Sequence, residues 1–167
     1  MTCFTCSRTS IPAADSIGFR GVGGRGYGPF MDPRLSFVTL VVRDLARSRA
    51  FYIDGLGWPV EFESPDEVVM VRFGDKVVLS LWQEAAAVGE IGPIGRAEGA
   101  PPITLAHNVA TPSDVDRILA EARAAGATVV AQGVQRDWGG YSGYFADPDD
   151  FRWEIAHNPG PIGSSVL

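Results

Sequence analysis

The chain has 167 residues, of which 46% are hydrophobic and 20% are charged, close to the average of globular domains. Its formal net charge of −6 is spread along the chain without a basic run, which argues against a nucleic-acid-binding surface. No apolar segment reaches the roughly 18–20 residues of a membrane-spanning helix, and the first residues lack the pattern of a secretory signal. These features predict a globular, cytoplasmic protein that binds neither nucleic acid nor membrane.

Residues 1–30 differ in composition from the rest of the chain. The segment from Gly18 to Gly28 contains six glycines, and such a segment loses much backbone entropy on ordering while burying little apolar surface. Cys3 and Cys6 are the two cysteines, and a zinc site needs more ligands than this pair supplies. We predict a flexible leader over residues 1–30, with Met31 as a second candidate start of the chain.

A regular pattern begins at residue 35. Residues 35–43 are rich in β-branched side chains and predict a mostly buried strand. Asp44 is a suitable N-cap for a helix that Gly55 and Gly57 end. Three strands are predicted after this helix, over residues 59–63, 68–73 and 77–83, separated by turn signals.

The same order of elements returns after a stretch of small residues, glycines and prolines over residues 85–102, which predicts a linker. A strand over residues 103–110 precedes a helix with Thr111 as N-cap and Pro112 at its first position. Three more strands are predicted, over residues 127–131, 141–146 and 151–157. The chain therefore predicts one α+β domain over residues 31–160, with module one at 35–84, module two at 103–158 and a tail at 161–167.

Short motifs at both ends of this repeat resemble a known family. The opening motif comprises Val41-Val42-Arg43-Asp44-Leu45, Phe51-Tyr52 and Leu56-Gly57, and the closing motif comprises Phe145-Ala146-Asp147-Pro148-Asp149 and Trp153-Glu154. Together they resemble the vicinal oxygen chelate superfamily of glyoxalases, bleomycin-resistance proteins and dioxygenases. Residues 138–145 are similar to an uncharacterised glyoxalase-like bacterial subgroup. The resemblance covers about residues 35–160 and implies two tandem βαβββ modules that form a U-shaped cleft, in a homodimer.

The resemblance also implies where a metal would bind. Metal-dependent members of the superfamily place one ligand on the first and one on the last strand of each module. At the corresponding positions this chain has Phe37, Ser80, Thr104 and Glu154. Because one carboxylate cannot replace three or four protein ligands, we predict no metal and no cofactor.

Glu154 is the single candidate catalytic residue. It has the chemistry of a general base, or of a charge that orients a basic ligand. The alternative is a structural carboxylate whose partner is Thr104 on the neighbouring strand. A single acid without a second catalytic group gives little support for catalysis, so the structural or ligand-orienting interpretation is favoured.

Strand alternation predicts a ligand pocket beside Glu154. Side chains two residues apart share a face, so Trp82 accompanies Ser80, and Trp138 and Tyr141 are expected at the mouth of the cleft. Aromatic groups with a few polar ones are typical of a pocket for a flat organic molecule, although each of these residues also suits ordinary sheet core. The predicted ligand-binding residues are Phe37, Thr39, Ser80, Trp82, Thr104, Asn108, Trp138, Tyr141 and Glu154.

Two further patterns concern the second module. Asp147-Pro148-Asp149-Asp150 predicts a tight turn in which Asp150 adopts a left-handed conformation, rather than a calcium loop, which needs more oxygen ligands. If Thr104 lies beside Glu154, then His107 and His157 are neighbours on the face away from the cleft. We interpret them as a structural pair, because two ligands alone bind metal weakly.

The sequence therefore predicts a dimeric protein that binds a small hydrophobic or aromatic molecule without a metal, as the resemblance to bleomycin-resistance proteins implies. One alternative is a glyoxalase-like lyase or dioxygenase-like enzyme with an atypical metal site. The other is a structural or regulatory dimer without pocket chemistry.

Overall fold

A computed structural model of the protein describes Met31 and residues 33–167. It divides the chain after Arg34, and the unit from Leu35 to Leu167 contains two four-stranded sheets. The predicted leader at residues 1–30 lies outside the described residues. The elements below all belong to the second unit.

Module one follows the predicted order of a strand, a helix and three strands. Strand β1 (Phe37–Val42) leads to helix α1 (Leu45–Arg49). Asp44 caps this helix, and its carboxylate accepts a hydrogen bond from the backbone N–H of Arg47 at 3.0 Å. A π-helical segment, Ala50–Gly55, continues the helix. Strands β2 (Val60–Ser64), β3 (Val68–Phe73) and β4 (Val77–Gln83) complete a sheet with the strand order β1-β4-β3-β2.

The predicted linker contains a helix, which corrects the sequence prediction. Helix α2 (Glu84–Ile91) begins directly after β4 and ends at Gly92, which has a positive φ of 84°. Its three consecutive alanines are strong helix formers, and this preference outweighs the single internal Gly89. Residues 92–102 then connect the modules without regular structure.

Module two repeats the arrangement. Strand β5 (Thr104–Asn108) leads to helix α3 (Pro112–Ala124), and Thr111 caps this helix by accepting a hydrogen bond from the N–H of Asp114, as predicted. The sheet has the order β5-β8-β7-β6 and contains β6 (Thr128–Gln135), β7 (Tyr141–Ala146) and β8 (Arg152–His157). A short helix α4 (Pro161–Ser164) follows.

Strand β6 is longer than predicted because its pairing with β7 is irregular. The register shifts between Val129 and Ala131 and again between Ala131 and Val134. Each bulge interrupts the two-residue alternation of side chains. The alternation of apolar and polar residues is therefore lost after Ala131, although the strand continues to Gln135. The predicted architecture of two tandem βαβββ modules is nevertheless confirmed.

One face of each sheet packs against its helices, and these two faces share a core. The core holds Leu40, Leu79 and Leu81 from module one together with Leu119 and Ile155 from module two. We call the opposite side of each sheet its open face. By strand alternation, the open faces carry Phe37, Thr39, Val41, Ser80 and Trp82 in module one and Thr104, Ala106, Asn108, Tyr144 and Glu154 in module two.

Of the helices in the described residues, none is long and apolar enough to cross a membrane.

Candidate functional site

The open face of module one brings together the predicted residues of β1 and β4. Thr39 pairs with Ser80, and Val41 pairs with Trp82, so these four side chains share a face as expected. The Phe37 side chain is 51% exposed, whereas Ser80 is 4% exposed. The face therefore has an exposed apolar residue at its edge, and the Ser80 hydroxyl beside Thr39 is buried.

The open face of module two is organised around Glu154. The Tyr144 hydroxyl donates a hydrogen bond to Glu154 Oε1 at 2.6 Å. The guanidinium of Arg136 lies over the Tyr144 ring, 5.5 Å from its centroid, and donates to the hydroxyl of Ser142. Burial, the hydrogen bond to Glu154 and the charge of that carboxylate all raise the pKa of Tyr144. The phenol is therefore protonated at neutral pH and acts as a donor.

Tyr144 and Arg136 were missed by the sequence prediction. Both are common residue types in ordinary strands, and β6 was predicted to end before Arg136. Side-chain alternation along a strand shows which residues of that strand share a face with Glu154, but it does not show which residue of the next strand lies beside it. The contact of Tyr144 with Glu154 follows only from the pairing of β7 with β8.

The predicted partner of Glu154 is wrong. Thr104 pairs with Arg152, and Ala106 is the residue beside Glu154. The pairing of β5 with β8 is offset by two residues from the one expected, which preserves the face but moves each side chain along the strand. The same offset occurs in module one, where Thr39 rather than Phe37 lies beside Ser80.

Of the two aromatic residues expected at the mouth of the cleft, Tyr141 lies elsewhere. Tyr141 pairs with His157 on the helix-facing side, and its hydroxyl donates to Asp116 of α3 at 3.0 Å. Trp138 lies in the turn between β6 and β7, where a Cβ on Gly140 would collide with its ring. These placements correct the prediction for Tyr141 and leave Trp138 as a residue of the turn.

The two histidines share the expected face but are not direct neighbours. His107 pairs with Ile155, and the ring of His157 lies near the backbone oxygen of Val109, with 3.4 Å between Nδ1 and that oxygen. Both point away from Glu154, as predicted. The two-residue offset between β5 and β8 separates the rings, so the predicted pairing is wrong.

A cavity of about 540 Å³ lies next to the open face of module one. It is lined by Thr39 and Val41, by the connecting segment at residues 94–102 and by the turn before β8. Arg96 fastens the segment to the sheet, because its guanidinium donates to the backbone oxygen of Val41 at 3.0 Å and to Glu84 at 2.9 Å. The cavity therefore has one strand wall and one wall made of the inter-module connection.

The turn before β8 links the two modules. Asp150 has a φ of 71°, so the predicted left-handed turn is confirmed. Asp147 accepts hydrogen bonds from the backbone N–H groups of Asp149 and Phe151 at 2.9 Å, and from the Tyr52 hydroxyl at 2.6 Å. Burial raises the pKa of Asp147 to about 6. The carboxylate organises the turn and joins it to module one.

Metal ligands are scarce around the open faces. Within Met31 and residues 33–167, no three histidine, cysteine, aspartate or glutamate side chains lie close enough together to hold a metal ion. The residues beside Ser80 and Glu154 are Thr39 and Ala106, and neither offers the imidazole or carboxylate that divalent ions prefer. These side chains do not fit a catalytic metal, either in the strand register that was expected or in the one observed.

These features define a class of α+β proteins with two tandem βαβββ modules and a candidate site on their open faces. A family model described as the Glyoxalase/Bleomycin resistance protein/Dioxygenase superfamily matches residues 34–155. The chain belongs to this superfamily.

Solved structures show the same fold. A glyoxalase-related enzyme from Fulvimarina pelagi is 31% identical, with a TM-score of 0.69 over 76% of this chain and 89% of that one. A glyoxalase/bleomycin resistance protein/dioxygenase from Nocardioides is 23% identical, with a TM-score of 0.66 over 78% and 90%. A lactoylglutathione lyase from Agrobacterium tumefaciens is 20% identical, with a TM-score of 0.60 over 76% and 95%. A comparison with curated proteins gives no match.

Proposed function

We propose that this protein binds a small hydrophobic or aromatic molecule on its open faces without the help of a metal ion. The observation that carries the proposal is the hydrogen bond between Tyr144 and Glu154. Glu154 is the single carboxylate at the four positions where metal-dependent relatives have ligands, and a protein donor already satisfies one of its oxygens. The residues at these four positions therefore suit ligand binding by shape and hydrogen bonds better than Lewis-acid chemistry on a metal ion.

The two open faces offer different chemistry to such a molecule. Module one supplies apolar surface at Phe37 and Trp82, with the hydroxyls of Thr39 and Ser80 between strands. Module two supplies the polar groups of Thr104, Asn108 and Glu154. An apolar wall with a few oriented polar groups is the usual composition of a small-molecule site. In this proposal Glu154 orients the ligand and has no catalytic role.

A homodimer is part of the proposal. Phe37 and Phe62 are 51% and 53% exposed on the two edge strands of the sheet of module one, and large exposed apolar side chains on one face of a sheet often mark an interface. A second copy would cover them. Sedimentation equilibrium should give twice the chain mass of 17.8 kDa, and substitution of both phenylalanines with serine should favour the monomer. A wild-type monomer at micromolar concentration would contradict the dimer. A cytoplasmic location is retained as a proposal that cell fractionation tests.

Metal content is the first test of the proposed function. After expression in metal-supplemented medium, elemental analysis should find well under one zinc, iron, nickel or manganese per chain. The Glu154→Gln variant should give the same result as the wild type. A stoichiometric metal in the wild type that is lost in this variant would refute the proposal and favour the lyase-like or dioxygenase-like alternative.

Ligand binding is the second test. A thermal-shift screen with aromatic metabolites should find molecules that raise the melting temperature by several degrees, because a ligand at 100 times its Kd stabilises the folded state by about 2.7 kcal/mol. The shift should shrink in Phe37→Ala and in Trp82→Ala. Ile162→Ala is the control, since Ile162 is an exposed apolar residue of helix α4 and belongs to neither sheet. A complete absence of hits would favour the structural or regulatory dimer.

A further inference from the structure

A second group of aromatic residues lies on the helix-facing side of the sheets, at the junction of the two modules. Trp58, Phe73 and Trp153 come together there, with ring centroids 5.2 to 5.9 Å apart and interplanar angles of 66° to 83°. We call these three residues the aromatic corner, because three planes at nearly right angles form the inside of a box. Trp58 and Phe73 are half-buried, so their rings remain accessible.

The aromatic corner is held rigidly from behind. Tyr52 packs against Trp58 with centroids 5.1 Å apart, and Phe145 stacks on Trp153 with an interplanar angle of 8°. The Trp153 indole N–H donates to the Tyr52 hydroxyl at 2.9 Å. A ligand that enters would therefore meet ordered ring faces and would not have to order them first, which lowers the entropic cost of binding.

A cavity of about 370 Å³ opens onto the aromatic corner, and its other wall is strand β5. A smaller recess of about 170 Å³ shares the lining residues Trp58, His107 and Trp153 with it and is also lined by Ile118 of α3. The larger volume lies within the usual range of small-molecule sites. The apolar walls come from module one and β8, whereas the polar groups come from β5 and from Arg72 of β3.

Strand β5 contributes backbone groups to this cavity. It is an edge strand of its sheet, so one side of it presents unpaired N–H and C=O groups. The N–H of Val109 points inward, since it donates to Ala156 on β8. Because backbone groups alternate between the two sides of a strand, the N–H and C=O of Ala106 point outward, and Ala106 lines the cavity. One donor and one acceptor therefore stand side by side at the wall.

His107 adds a side chain with hydrogen-bonding capacity to spare. In the described part of the chain its imidazole is not engaged in a hydrogen bond or ion pair, and burial together with the nearby Arg117 lowers its pKa. The ring is therefore neutral at pH 7 and offers one donor and one acceptor. The two nearby guanidinium groups are already paired, Arg72 with Glu61 at 2.6 Å and Arg117 with Glu121 at 2.8 Å. Neither of these two guanidinium groups is therefore free to attract an anion.

We propose that the cavity between the aromatic corner and strand β5 is a second binding site, for an uncharged, flat, fused-ring heteroaromatic molecule. The ring system packs into the corner formed by Trp58, Phe73 and Trp153. A ring N–H and a ring nitrogen bind the Ala106 backbone or His107. This site is separate from the open faces, because His107 and Trp153 point to the opposite side of the sheet from Glu154.

The test uses benzimidazole, which is neutral at pH 7.5 and carries one N–H donor and one ring acceptor. Titration into the ¹⁵N-labelled full chain should shift the amide resonances of Ala106 and His107 and the indole N–H of Trp58. 1-Methylbenzimidazole, which lacks the donor, should bind at least threefold more weakly, and the anion naphthalene-2-carboxylate should bind at least tenfold more weakly. Equal affinity for all three compounds would overturn the proposed chemistry.

Two variants locate the site, and one matched control separates it from the proposed function. His107→Ala and Phe73→Ala should each weaken benzimidazole binding by at least fivefold, and His107→Ala removes an exposed side chain, so the fold should persist. Phe37→Ala, the same substitution on the open face, should leave the affinity unchanged within twofold. Loss of binding in Phe37→Ala but not in His107→Ala would overturn the second site while leaving the open-face proposal intact. An unchanged amide spectrum at millimolar benzimidazole would also overturn it.

Discussion

Replacing Tyr52 with phenylalanine isolates the polar link between the two modules. Tyr52 is fully buried, and its hydroxyl donates to Asp147 at 2.6 Å and accepts from the Trp153 indole N–H at 2.9 Å. The substitution keeps the ring but leaves two buried polar atoms, Asp147 Oδ2 and the Trp153 indole N–H, without a partner. Each such group costs about 1–3 kcal/mol, so we expect Tyr52→Phe to lower the free energy of unfolding by about 2–4 kcal/mol.

The loss should depend on pH through Asp147. Burial raises the pKa of this carboxyl from 3.8 to about 6, while the hydrogen bond from Tyr52 opposes the rise. A folded-state pKa above the unfolded value means that protonation stabilises the fold. This contribution, roughly 3 kcal/mol for a shift of this size, is complete below pH 3.8 and lost as the pH rises through 6. Without the Tyr52 hydroxyl the pKa should rise further, so the substitution should cost more at pH 7.5 than at pH 5.

Urea unfolding at pH 7.5 and pH 5 measures both effects. Tyr141→Phe is the matched control, because its hydroxyl also donates to a carboxylate, that of Asp116, but at the surface, where water replaces the lost partner. It should cost less than about 1 kcal/mol. In an Asp147→Asn background, the pH dependence of the Tyr52→Phe effect should disappear. Equal losses for Tyr52→Phe and Tyr141→Phe, or a loss that is the same at both pH values, would refute the reasoning.

Three further predictions concern stability. Gly143→Ala should destabilise the fold by about 1–3 kcal/mol in denaturant titrations. The new Cβ would lie 2.6 Å from Leu119 Cδ1 and 2.8 Å from the backbone nitrogen of Gly133. Gly89→Ala in α2 is the control, because its Cβ meets nothing within 4 Å, and it should be neutral or stabilising by up to about 1 kcal/mol. Thr111→Ala should cost about 1 kcal/mol through the lost N-cap, Thr111→Ser should cost less, and equal losses would contradict a capping role. A chain beginning at Met31 should melt within a few degrees of the full chain by calorimetry, and a large drop would mean that residues 1–30 stabilise the domain.

The order of the elements was predictable because local patterns determine it. The strands at residues 68–73, 77–83 and 141–146 have the predicted bounds, since each is a β-rich run between turn signals. The caps at Asp44 and Thr111 were also predictable, as a cap depends on a few neighbouring residues. Helix α2 was missed because its glycine and the prolines that follow it outweighed its alanines in a pattern of small residues.

The candidate site was less predictable because it depends on register. Alternation placed Thr39, Ser80 and Trp82 on one face correctly, since it needs only the parity of each strand. The partner of Glu154 required the offset between two strands far apart in the sequence, and an error of two residues leaves parity intact while replacing Thr104 with Ala106. The same error paired His107 with His157. The link from Tyr52 to Asp147 joins residues 95 positions apart, and no local pattern reports it.

The Tyr144–Glu154 pair shows how the open face of module two accommodates a carboxylate without relying on a cation. A partly buried carboxylate needs hydrogen-bond donors or a positive charge to offset its lost hydration. Tyr144 supplies a donor at 2.6 Å, and Arg136 lies over the other side of that phenol ring. Arg136 contacts the ring of Tyr144 and, among the described residues, forms no ion pair with Glu154. This arrangement leaves the second oxygen of Glu154 available to accept a hydrogen bond from a ligand, which is the role that the proposed function assigns to it.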